Sequence, residues 1–106
     1  MNNFGYVLAT KMLVDGKRRV RFMYRETPDN DQDSGWRFFC GDEDDEYVNT
    51  PENIAVYDIN TILSFDKSIT PYLNADVGAT FEREDENACF SVSEDFLSEN
   101  NRANLR

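Results

Sequence analysis

Asp29, Asp31 and Asp33 alternate along a stretch that ends in Gly35, and Asp42-Glu43-Asp44-Asp45-Glu46 follows a few residues later. Carboxylates in such a pattern suit two kinds of chemistry: holding a hard divalent cation through oxygen ligands, or presenting negative charge to a cationic partner. The calcium reading fails on spacing. With Asp29 as first ligand, Ser34 stands where the turn glycine of an EF-hand loop belongs and Cys40 where its bidentate Glu belongs. Five adjacent carboxylates repel one another, a cost offset by solvation, a cationic partner, a metal or a basic face of the same protein. Magnesium-dependent chemistry would further need a phosphate-cradling glycine loop or a positioned base, and neither accompanies the cluster.

Other reactive residue types are few. Histidine is absent, which removes the commonest general base and zinc ligand and excludes Ser-His and Cys-His nucleophilic chemistry. Cys40 follows two Phe residues, a setting in which a thiol behaves as a small buried hydrophobe. Lys17, Arg18, Arg19, Arg21 and Arg25 form a basic run without an acid, which reads as an arginine face pairing with the acidic loops. A phosphate or nucleic-acid site there sits poorly with a formal net charge of −10, since phosphate-backbone affinity comes mainly from basic side chains. Nine of the 21 acidic residues lie between Glu26 and Glu46 against one basic residue, Arg37, giving that segment −8 of the total. Yet its centre is the aromatic run Trp36-Arg37-Phe38-Phe39-Cys40, which is costly to leave in water.

The elements that must position these residues are short. Phe4–Val14 reads as a strand, Asp15-Gly16 as a tight hairpin turn and Lys17–Arg25 as the return strand. Val20, Phe22 and Tyr24 are expected on the core face, with Arg19, Arg21, Met23 and Arg25 opposite. Pro28 and the Asp-Asn run make a loop, Trp36–Cys40 a third strand, and the acid cluster a turn or one helical turn. Thr50-Pro51-Glu52 starts a turn or helix and Ile54–Tyr57 is a short strand. Asp58 is placed to cap a helix from Ile59 to about Phe65, and Asp66 a second turn ending near Leu73. Ala79–Arg83 and Ala88–Val92, joined by Glu84–Asn87, form a carboxy-terminal hairpin. Residues 94–106 read as a polar tail or a short helix around Phe96-Leu97.

The blocks Phe22–Tyr47, Asn53–Leu63 and Ile69–Leu73, above all Tyr-Arg-Glu, Asp-Ser-Gly-Trp-Arg-Phe and Gly-Asp-Glu-Asp, resemble the bacterial family named domain of unknown function 2185 and described as immunity protein 33. The resemblance runs from about Gly5 to Glu84, with Cys40 standing where a small residue such as Ser is expected. It implies a small, mostly β domain that neutralises a cognate toxin, and it brings no catalytic residues.

The sequence thus predicts one α+β domain over residues 1–93, mainly antiparallel sheet with one or two short helices packed on it. No apolar leader or membrane-length apolar run is present, so the chain is read as cytoplasmic with reduced thiols. The expected function is non-enzymatic capture of a cationic protein, such as a toxin, without cofactor, metal, nucleic acid or membrane. Asp29, Asp31, Asp33, Asp42, Glu43, Asp44, Asp45 and Glu46 would steer the partner, with Trp36, Arg37 or Phe39 as the anchor. The alternatives are a carboxylate-metal regulator or hydrolase, and a homo-oligomeric accessory domain.

Overall fold

Thr10 ends the first strand and starts a helix. In the computed structural model, which describes residues 5–85 and 88–92, β1 (Tyr6–Thr10) runs into a one-turn helix, α1 (Lys11–Asp15), whose Leu13 amide donates to the Thr10 hydroxyl at 3.2 Å. Such a cap satisfies a backbone donor that the first helical turn leaves open. The expected Asp15-Gly16 hairpin is therefore absent: Gly16 sits at φ −88° as the helix cap, and the positive angle falls on Lys17 at φ 50°. β1 does not pair with β2 (Phe22–Arg25); it lies between β3 (Asp33–Phe39), running parallel, and β4 (Ile54–Asp58), running antiparallel.

The remaining pairings are antiparallel and give a six-stranded sheet in the order β4-β1-β3-β2-β5-β6, with β5 at Thr80–Glu82 and β6 at Ser91–Val92. With α1, α2 (Asp45–Val48), α3 (Ile59–Leu63) and 3-10 turns at Pro51–Asn53 and Lys67–Tyr72, the fold is α+β. Asp58 accepts the Asn60 amide at 2.8 Å to cap α3, and Asp66 accepts the Ser68 amide at 3.0 Å to cap the turn that follows, as the sequence predicts. Phe4, the second half of the turn at Glu84–Asn87 and the segment from Ser93 to Arg106 lie outside the described residues.

Only one face of the sheet is thickly covered. Ala9, Phe38, Met23 and Phe81 form a cross-strand row on it, beside Val7 and a Trp36 ring stacked 5.9 Å from Phe38. Ile59 and Ile62 of α3 and Ile69 complete this core. Trp36, Phe38 and Met23 are fully buried, each contributing about 1.5–3 kcal/mol through removal of apolar surface from water. The phase of β2 is therefore opposite to that expected: Met23 pairs with Phe38 in the core, whereas Phe22 and Tyr24 pair with Phe39 and Arg37 on the other face. Val20 is also buried, but it precedes the strand and does not share its alternation.

The arginines of this segment are tied down one by one. Asp66, buried, accepts the Val20 amide at 2.8 Å, Arg83 Nη2 at 3.0 Å, Arg19 and the Ser68 hydroxyl. Burial alone would raise its pKa. The hydrogen bonds from Ser68 and Val20 and the Arg83 charge outweigh that and hold it below the usual carboxylate value. Arg25 donates to the Ser34 carbonyl at 2.9 Å and the Ala75 carbonyl at 2.7 Å, with its guanidinium 5.9 Å from the Trp36 ring centre. Replacing Asp66 by Ala leaves Arg83 buried without its carboxylate and is expected to cost about 3–5 kcal/mol of stability. Urea denaturation measures this, and a midpoint equal to that of the unsubstituted protein would contradict the assignment.

Candidate partner-binding site

The two acidic loops are held at opposite ends of β3, and the first is built around a buried ion pair. Arg37 Nη1 and Nη2 donate to Asp33 Oδ1 and Oδ2, both at 2.9 Å, in a bidentate fork. The same carboxylate accepts the Gly35 amide at 2.9 Å and the Asp29 amide at 2.8 Å, while Arg37 Nε reaches Glu26 at 2.5 Å. The Arg37 bonds hold the Asp33 carboxyl far below the usual carboxylate range; for Arg37, desolvation opposes ionisation, but the bonds to Asp33 and Glu26 outweigh it and raise its pKa. The pair spans a bulge: on β1, Tyr6 faces Asp33 and Leu8 faces Arg37, two residues against four. Gly35 in the bulge has φ +90°, and a Cβ there would lie 2.3 Å from the Glu26 carbonyl oxygen. Only glycine fits both the angle and the space.

The acid cluster at the other end of β3 divides its labour. Asp42 pairs with Arg18. Glu43 accepts the Thr10 hydroxyl and the Cys40 and Gly41 amides, the latter two at 2.9 Å, so that its carboxyl is held low despite partial burial that would raise it. Asp44 caps α2 by accepting the Tyr47 amide at 2.8 Å. Asp45 and Glu46 are exposed, as are Asp29 and Asp31 in the first loop, and among the described residues none of these four side chains takes a hydrogen bond or ion pair. Asp33, Trp36 and Arg37, by contrast, are 5%, 0% and 3% exposed. They shape the surface from beneath, and Trp36 spends its indole N–H on the Leu73 carbonyl at 3.1 Å.

Between the loops lies the second face of the sheet, which the sequence reading assigned to arginines. Phe22, Tyr24 and Phe39 form a ring cluster there, with centroids 5.7–5.9 Å apart. Leu8 and Val56 continue the face toward β4, where Val56 is 59% exposed. A groove of about 680 Å³ opens over the rings, lined also by Glu43, Asp45, Val48 and Glu82 and by Arg21 and Arg83. The available signal was in the partners of β2: if Trp36 and Phe38 are core, any residue paired with Phe39 faces the other way. Cys40 is buried, and burial pushes its thiol pKa up, which keeps it protonated and unreactive. Among the described residues no three His, Cys, Asp or Glu side chains are grouped to hold a metal ion, and no helix is long and apolar enough to cross a membrane.

The family model described as the immunity protein Imm33 domain matches residues 7–93. Comparison with curated proteins and with solved structures gives no match.

Because Asp33 is held ionised more strongly in the folded chain than in the unfolded one, its contribution to stability is complete above about pH 4 and is lost as the pH falls below that value. Asp33→Asn keeps the shape and removes the charge opposite Arg37. It is expected to cost about 3 kcal/mol at pH 7 and to flatten the acid limb of the stability curve. Denaturant titrations between neutral pH and pH 3 measure both; a variant as acid-sensitive as the unsubstituted protein would contradict this.

Proposed function

The chain belongs to the Imm33 immunity-protein family, and we propose that it is a non-enzymatic cytoplasmic binding protein that neutralises a cognate bacterial toxin by docking acidic side chains on a cationic surface of that toxin. Residues 1–93 form the binding domain in this reading. The observation that carries it is the separation of the acids into two sets. Asp33, Asp42, Glu43 and Asp66 are engaged within the fold, whereas Asp29, Asp31, Asp45 and Glu46 face solvent with no internal partner among the described residues. Unpartnered like charges held in place by a fold raise the encounter rate with an opposite surface and disfavour wrong partners. The steering role expected of the acidic loops therefore rests on these four, and direct contact through the buried Asp33, Trp36 and Arg37 is not part of the proposal.

The test uses a cognate toxin, sought among the products of the genes beside this protein's own. Reversing Asp29, Asp31, Asp45 and Glu46 to Lys is expected to slow association about tenfold at low salt and to remove most of its salt dependence. Stopped-flow mixing at two ionic strengths reads both. Unchanged association and unchanged salt dependence would reject docking through these acids.

A further inference from the structure

We propose that the groove on the open sheet face receives an arginine or lysine side chain of the partner protein, with its cationic head between Asp45 and Glu82 and its stem across Phe22 and Phe39. This rests on the toxin-binding reading above and narrows it to one surface. Registers place Phe39, Phe22 and Glu82 side by side on neighbouring strands, so a carboxylate stands next to two aromatic rings. Ring faces attract cations through their quadrupole, and an arginine plane stacks on them while its fork meets a carboxylate. Asp45 and Glu82 line the groove and are exposed, whereas the Glu43 carboxylate is spent on Thr10, Cys40 and Gly41 and serves as wall.

Arg21 also lines the groove, but its Nη2 is spent on the Glu84 carbonyl within the fold, so the carboxylates of Asp45 and Glu82 remain the groups free to meet a cation. The rings themselves are only partly covered although the opposite face of the sheet is packed with helices. The chemistry that fits is thus a basic side chain: an apolar stem with a cationic tip.

The probe is the blocked tripeptide Gly-Arg-Gly, titrated into the labelled chain by NMR with Gly-Glu-Gly as the control. Shifts confined to Phe22, Phe39, Glu82 and their neighbours, with the paired substitution Glu82→Gln and Asp45→Asn weakening binding about tenfold, are expected. Shifts gathered on the loop at Asp29 and Asp31, no shifts, or equal response to the glutamate peptide would overturn the proposal. So would a dimer in sedimentation that Phe39→Ser dissociates, because the face would then be covered by a second copy. A cognate toxin separates the two levels of the proposal. If it binds the double variant as tightly as the unsubstituted chain, the groove is wrong and the immunity reading stands; if the arginine peptide fills the groove while the toxin is ignored, the groove stands and the immunity reading fails.

Discussion

The pairing of Arg37 with Asp33 is the constraint on which the rest of this surface depends. A carboxylate kept ionised in a buried strand must be hydrogen-bonded and paired with a positive charge, or it destabilises the fold. Here two guanidinium bonds and two backbone amides meet that demand. The consequence reaches both ways along the chain. The Asp29 amide fixes the loop that carries the outward acids, and the Gly35 amide fixes the bulge between Asp33 and Arg37, which share one side of β3 by alternation. Glu26 closes the guanidinium from the other flank, so the loop's entry and exit are tied to one side chain.

A second buried knot joins Asp66 with Arg83 and Arg19. It joins the segment before β2, the turn after α3 and the end of β5, which are far apart in sequence. Together the two knots absorb charge that would otherwise oppose compaction in a chain of net charge −10. What is left unneutralised at the surface is then a selected set of acids. The same strand orders the aromatic face, since Phe39 lies on the side away from Trp36 and Phe38 by simple alternation.

Much of this was legible in the sequence where the signal is local. Asp58 and Asp66 read as caps because an Asx side chain before a helical run has a near-obligatory backbone donor to accept. The strand at Ile54–Asp58 followed from the apolar run Ile54–Tyr57, and that at Thr80–Glu82 from a run between Gly78 and the turn that begins at Glu84. The amino-terminal hairpin was not legible, since Asp15-Gly16 fits a turn and a helix end equally and only the Thr10 cap, with the Met12 amide donating to the Tyr47 hydroxyl at 3.0 Å, decides between them. Nor was the phase of β2: Phe22 and Tyr24 are as apolar as Met23, and the choice is made by what lies opposite, Phe38 or Phe39, across a loop whose length does not fix register. Arg37 and Asp33 were visible as charges, but a sequence does not distinguish a charge offered to a partner from one spent four residues away.

Carboxyl footprinting tests the division of acids most directly, with carbodiimide and glycine ethyl ester applied to the free chain and to its mixture with a cognate toxin. The account predicts modification of Asp29, Asp31, Asp45, Glu46 and Glu82 in the free protein, none at Asp33 and Asp66, and protection of Asp45 and Glu82 by the toxin. Labelling of Asp33 and Asp66 at the rate of the outward acids, or toxin protection confined to residues away from Asp45 and Glu82, would contradict it.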